Sequence, residues 1–131
     1  MKPADQPIIA FLGATFRLAD ENEHHVHEVL DLAERFKAAG PDNMSKRRRL
    51  RSMARHHIRR LHANAERFTR HLARFERHIL NAPLYWHSTL RDNIKMGTRE
   101  TVLAHRAAFV MRNLFEPPAR LAAGAPRALV H

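Results

Sequence analysis

Residues 45–80 read SKRRRLRSMARHHIRRLHANAERFTRHLARFERHIL, and they combine a heptad pattern of apolar residues with a dense run of arginine. The apolar positions are separated by alternating steps of three and four, which places them on one stripe of an α-helix. Twelve Lys and Arg accompany only two acidic residues. We therefore expect a long helix that packs through one stripe and presents cations elsewhere. The stripe contains Ala54, Ile58, Leu61, Ala65, Phe68, Leu72, Phe75 and Ile79.

The arginines of this segment fall outside the stripe. With Ile58 at heptad position a, six of them occupy positions b, c and f, which point away from a packed seam. Guanidinium groups bind phosphate through a planar fork of donors, so an outward row of them is typical of a surface that meets a polyanion. The six are Arg59, Arg60, Arg67, Arg70, Arg74 and Arg77.

The flanking segments also have helical periodicity. A capping-box pattern at Asp20 and Glu23 predicts a helix over residues 20–39, which Gly40-Pro41 ends. The turn that follows is short, so we expect the acidic helix to pack antiparallel to the basic one. Residues 8–16 are apolar and are predicted to form a short helix or strand at one end of the core.

After residue 80, Pro83 is suited to the first turn of a short helix over 84–94. Gly97 is predicted to open a last helix that runs to Phe115. The combination predicts an all-α fold, an antiparallel helical bundle of three to four helices with one long basic central helix. We expect a single domain over residues 1–116 and a flexible Pro/Ala-rich tail over 117–131. The last helix is expected to turn Val102, Leu103, Ala107, Val110, Met111 and Leu114 inward.

Composition excludes several classes of protein. The 131 residues contain no cysteine, so disulfides and thiolate metal sites are excluded. No run reaches the ~18 apolar residues of a membrane span, so no membrane partner is expected and a cytoplasmic location is predicted. The formal net charge is +10 and is unevenly spread, since residues 1–40 carry seven acids against four Lys or Arg and residues 41–80 carry three against twelve. Segregated positive charge indicates a nucleic-acid partner or an acidic protein surface.

The leading hypothesis is a small non-enzymatic nucleic-acid-binding protein with a regulatory or accessory role. DNA is favoured over RNA because the motifs of RNA sequence readers are absent. A helix-turn-helix with its turn at residues 95–98 is a second way to contact DNA. The predicted phosphate-contacting residues are Lys46, Arg47, Arg48, Arg49, Arg51, Arg55, Arg59, Arg60, Arg67, Arg70, Arg74 and Arg77.

Other functions stay open. The chain has the features of a protein-interaction module, an inhibitor or adaptor whose basic face docks on an acidic surface of a larger complex. A helical ribonuclease with an Arg-x4–6-His motif is a third reading, since Arg51 and His56 match this spacing, as do Arg99 and His105. We expect no enzyme activity and no catalytic residues. The heptad seam is suited either to packing within one chain or to a homodimer.

The histidines and aromatics carry weaker signals. His24 and His27 share a helical face with Glu28 and Asp31, and His62 pairs with Glu66, yet no second set of ligands is evident, so no metal and no cofactor are expected. Protonation along one edge of the seam below about pH 6.5 is expected to loosen packing or strengthen polyanion binding. Tyr85 and Trp86 are expected to anchor the core, with stacking on bases as the alternative. The edge residues are His57, Asn64, His71 and His78.

Overall fold

The computed structural model describes residues 5–116, apart from the side chains of Glu76, His78 and Ile79. The described chain is helical throughout, joined by short turns and without strands, which confirms the predicted all-α class. The tail predicted at 117–131 lies outside the described residues. The four helices are α1 (Gln6–Ala39), α2 (Met44–Ala73), α3 (Phe75–Asn81) and α4 (Leu84–Phe115).

Proline, glycine and a capping asparagine lie at the ends of these helices. Pro7 lies in the first turn of α1, where its missing N–H costs nothing, and Gly40 ends the helix with φ 71°. At the start of α2, the Asn43 side chain accepts a hydrogen bond from the backbone N–H of Lys46. Pro83 precedes α4 directly, as expected of a residue suited to a helix start.

The long helices lie side by side, and α2 packs extensively against both α1 and α4. The main core cluster joins the C-terminal half of α1, residues 50–65 of α2 and the C-terminal half of α4. This pairing makes α2 antiparallel to each of its two neighbours. The centres of the cluster are Leu32, Leu61 and Phe115, all buried.

The predicted stripe of α2 forms the core contact of the helix. Ala54, Ile58, Leu61, Ala65 and Phe68 are buried within the chain, between α1 and α4. The seam is therefore occupied intramolecularly, so it is not free to pair with a second copy. Burial of Phe68 alone is worth about 3–5 kcal/mol against truncation to alanine.

Several predicted helix boundaries are wrong. The helix predicted over 20–39 begins at Gln6, and the polar residue Thr15 is buried between Leu12 and Leu18, so the inward face of α1 is continuous there. Residues 8–16 belong to the same helix. The helix predicted to reach Leu80 ends at Ala73, and the break lets Phe75 pack against the cluster around Ile8.

The last two predicted helices are one, since α4 is continuous through residues 95–98. Gly97 was predicted to open a helix, but it lies within α4, where an added Cβ would meet Leu72 Cδ2 at 2.8 Å. The missing side chain permits a close approach of α2 and α4. The predicted inward face is confirmed at Ala107, Met111 and Leu114. It is wrong at Val102, Leu103 and Val110, which are exposed, and the buried positions that it missed include Ala104, Ala108 and Phe115.

Candidate nucleic-acid interface

The twelve predicted contact residues divide into three groups according to what each side chain touches. Seven have no ion pair with any described residue, and all of them are exposed. These seven are the side chains left available to an external anion. They are Lys46, Arg48, Arg49, Arg59, Arg70, Arg74 and Arg77.

The second group is engaged in ion pairs within the chain. Arg60 and Arg67 both bind Glu21 on α1, the latter with Nη1 3.0 Å from Oε2. Arg55 binds Glu116 just after α4. These pairs are half-exposed, so an external phosphate has to compete with carboxylates already in place.

The third group packs against aromatic rings. The guanidinium of Arg47 lies 4.4 Å from the Phe36 ring centroid, and that of Arg51 lies 5.8 Å from it. Arg51 Nε also donates to the Phe115 carbonyl oxygen at 2.8 Å. These two residues therefore tie α2 to α1 and α4, and sequence spacing alone did not distinguish them from the outward arginines.

Three of the free arginines form a line along α2, which we call the outer line. Arg48, Arg59 and Arg70 are separated by steps of eleven residues, which is close to three helical turns. Successive members are about 16 Å apart, so the outer line extends about 33 Å. It faces away from the buried stripe, and the heptad assignment predicts this direction for Arg59 and Arg70, at positions b and f.

Glu21 is the carboxylate that binds the largest number of cationic partners in this region. Partial burial raises its pKa, but the hydrogen bonds and charges of Arg60 and Arg67 outweigh burial and hold the pKa below its ordinary value. Its Oε1 also lies 3.8 Å from His25 Nε2. Glu21 thus stays ionised and is fully occupied by its own chain.

A surface cleft of about 440 Å³ lies between α1 and α2, which we call the α1–α2 cleft. Arg67, Arg70 and Arg74 line it from α2, and Arg17 lines it from α1. Arg17 was absent from the predicted set because it lies on α1, outside the arginine-rich segment 45–80. The signal that could have found it is its spacing from Glu21, four residues on, which puts both on one face of α1.

Four histidines meet where α1 and α2 pack, namely His24, His25, His56 and His57. The Nδ1 atoms of His25 and His57 are 2.8 Å apart and share one hydrogen bond. Burial, together with neighbouring imidazoles, lowers the pKa of each of these two residues. Among the side chains that the structure describes, no three His, Asp or Glu groups converge as a metal site would require.

The remaining edge histidines lie in different surroundings. His71 is buried, stacks on the Phe11 ring at 4.2 Å and has Nε2 2.6 Å from Thr15 Oγ1. Asn64, one heptad earlier on α2, is also buried. The side chain of His78 lies outside the described residues. The expected effect of protonation on polyanion affinity stays a prediction.

The side chains of Arg51 and His56, the first Arg-x-His pair of the ribonuclease hypothesis, make different contacts. Arg51 bonds to the end of α4, whereas His56 joins the histidines that face α1. Arg99 lines a small groove on α4. The ribonuclease alternative, with His105 as its candidate residue, stays a hypothesis beside the expectation of no enzyme activity.

The aromatic pair after Pro83 is divided between core and surface. Trp86 packs against the apolar cluster at the α1 N-terminus, and its Nε1 donates to Asp5 Oδ1 at 2.8 Å. Tyr85 is exposed and donates to the same oxygen at 3.1 Å. Since residues 95–98 are helical, the predicted helix-turn-helix is wrong.

Comparisons with protein-family models, curated proteins and solved structures give no match for this chain. In the part of the chain that the structure describes, no helix combines the length and apolar content needed to cross a membrane.

Proposed function

We propose that the chain is a small non-enzymatic protein that binds nucleic acid through the outer face of α2, in a regulatory or accessory role. The observation that carries this proposal is the outer line of Arg48, Arg59 and Arg70, which has no carboxylate partner among the described residues. In this proposal α2 is the basic central helix of an antiparallel bundle. DNA is favoured over RNA.

Length and charge support a backbone contact rather than base reading. Duplex DNA presents one phosphate charge per about 1.7 Å of its axis, so an outer line of about 33 Å meets several phosphates of a single site. Each guanidinium–phosphate contact releases condensed counterions, so affinity accrues without sequence recognition. We therefore expect binding that depends strongly on salt and weakly on sequence.

The test is a salt titration of binding to a labelled random 20-mer, measured by fluorescence anisotropy for duplex DNA, single strand and RNA. The slope of log affinity against log salt is about −0.9 per phosphate contact on duplex DNA. In the R48Q/R59Q/R70Q variant, the magnitude of this slope is expected to be smaller by about 2.7, because three phosphate contacts are lost. Because these residues are exposed and unpaired, helicity should stay at the wild-type value.

A matched control is available on α4. R91Q/R99Q/R106Q removes the same net charge from exposed positions outside α2 and should leave the slope nearly unchanged. Equal weakening by both triple variants would mean that net charge, not the outer line, drives binding. Absence of affinity for all three nucleic acids at ~50 mM salt would overturn the proposal.

A second candidate is a protein-interaction module that docks a basic face on an acidic protein surface. The observation that favours it is the outer face of α4, where Phe109 is 67% exposed and Val110 55% exposed. Arg99 and Arg106 flank a groove on the same helix. Aromatic residues and arginine are enriched in protein interfaces. Retained duplex affinity in an F109S/V110S variant would separate this face from the nucleic-acid surface.

A further inference from the structure

The α1–α2 cleft has far more positive than negative charge. Four guanidinium groups line it, and the carboxylate that lines it is that of Glu21. Both oxygens of Glu21 are occupied, Oε1 by Arg60 and Oε2 by Arg67. Among the described side chains, Arg17, Arg70 and Arg74 have no ion-pair partner. With histidine counted as neutral, the described lining residues carry a formal excess of three positive charges.

These cations come from two helices and converge on one concave site. Arg67, Arg70 and Arg74 are three and four residues apart, so they share a face of α2, and Arg17 approaches from α1. The Arg17 side chain extends along α1 toward Gly13, with Nη1 3.5 Å from the position that a Cβ of residue 13 would occupy, an ordinary contact distance. A concave site lined by one sign of charge concentrates counter-ions.

The walls of the cleft are held by packing. Thr15 donates its hydroxyl hydrogen to the Phe11 carbonyl oxygen, so its oxygen accepts from His71 Nε2–H. The His71 ring is also stacked on Phe11. Ala14 and Leu18 supply an apolar lining from α1. Pre-positioned walls reduce the ordering cost of binding a small anion.

We propose that the α1–α2 cleft is a binding site for a compact diphosphate or triphosphate group. Two phosphate groups carry roughly −3 at pH 7, which matches the excess charge of the lining. Arg17, Arg70 and Arg74 supply charge-assisted hydrogen bonds to the phosphate oxygens. The cleft volume is within the range of small-ligand pockets. The group belongs either to a free anion or to the 5′ end of a strand, and the second source rests on the proposed function.

The test titrates sodium pyrophosphate into the full chain by calorimetry at fixed ionic strength. We expect one pyrophosphate per chain and at least tenfold weaker binding by R17Q/R70Q. The matched control R48Q/R59Q removes two charges of the outer line from outside the cleft and should stay within twofold of wild type. Circular dichroism and the melting temperature establish that each variant is folded.

The source of the phosphates is identified by a competition between strands with a 5′-triphosphate and with a 5′-hydroxyl. A preference for the triphosphate strand that R17Q/R70Q abolishes supports a strand end, and pyrophosphate binding without this preference supports a free anion. Equal loss in both double variants, or no pyrophosphate binding at 5 mM, overturns the cleft site. If duplex affinity is absent while pyrophosphate binds, the proposed function fails and the cleft site stands.

Discussion

Glu21 has a structural role that its sequence position does not show. It binds Arg60 and Arg67 of α2 and lies close to His25 of its own helix. These contacts hold α1 against α2, and they also make Arg60 and Arg67 less available to external anions. Removal of this one carboxylate should therefore change stability and anion affinity in opposite directions.

The E21Q variant is expected to unfold with a free energy lower by about 1 kcal/mol, because half-exposed ion pairs contribute modestly. Its affinity for pyrophosphate should rise severalfold, since Arg67 is released into the α1–α2 cleft. Urea unfolding and calorimetry measure the two effects. The control E23Q changes the same charge at an exposed position of α1 and should affect neither; an E21Q protein with unchanged affinity would show that Glu21 does not limit the cleft.

The bond between His25 and His57 tolerates at most one added proton. One Nδ1 must donate and the other must accept, so two imidazolium rings would place two donors against each other. Glu21 and Glu28 favour protonation, whereas His24, His56 and Arg60 disfavour it. With burial as the largest cause, the pKa of each residue is lowered from its ordinary value.

Stability should consequently fall on mild acidification. Unfolded histidine titrates near pH 6.5, above the folded pKa of both residues, so between these values the unfolded chain binds more protons and the free energy of unfolding rises with pH. The contribution is complete above about pH 6.5 and is lost as the pH falls toward the folded pKa. The melting temperature between pH 7.5 and 5.5 measures it, and the decrease should be smaller in H57Q than in wild type. A wild-type melting temperature that stays constant over this range, or an equal change in the exposed-site variant H27Q, would contradict the assignment.

At the level of the helices, the residues at the turns were predictable, whereas the continuity of α1 and α4 through their interiors was not. Gly40 and Pro83 act through their own backbone geometry, so their positions mark a helix end and a helix start regardless of the rest of the chain. Gly97 was misread because the same residue type also permits close packing. Its partner Leu72 belongs to another helix, and sequence-local rules carry no information on that contact.

Gly13 and Gly97 provide a matched pair of substitutions inside helices. G13A should stabilise the protein by about 0.5–1 kcal/mol, because an added Cβ makes an ordinary contact there and alanine favours the helix. G97A should not gain this stability, because Leu72 has to move away from a Cβ at 2.8 Å. Its free energy of unfolding should be lower than that of G13A by about 1 kcal/mol. Urea unfolding compares them, and equal stability would mean that α2 and α4 do not approach closely at this point.

In the whole molecule, the apolar side chains of α2 pack inside the bundle, and most of its cationic side chains lie on the surface. The α2 stripe is covered by α1 and α4, and the exposed cations extend from Lys46 to Arg77. Because α1 neutralises only part of this charge, the folded protein carries self-repulsion that a bound polyanion relieves. Binding restricted to the folded state must also raise the stability of the fold.

Duplex DNA at about 100 times its dissociation constant should stabilise the fold by about 2.7 kcal/mol. For a domain of this size the melting temperature should rise by about 10 °C. Differential scanning fluorimetry at low salt and at 0.5 M salt measures the effect, which should disappear at high salt. A rise that persists at 0.5 M salt, or one equally present in R48Q/R59Q/R70Q, would argue against phosphate contact along the outer line.

Periodicity and composition alone established the helical class, the inward stripe of α2 and the excess of arginine on that helix. These properties are local, since they follow from the spacing of residue types within a few turns. Local spacing could not predict which arginines are paired within the chain and which are left exposed to an external anion. Arg60 and Arg67 are neutralised by a carboxylate about forty residues earlier in the chain, and Arg17 joins the cleft from the same distant helix. Only the packing register of α1 against α2 brings those groups within reach, and register depends on the whole core rather than on any one segment.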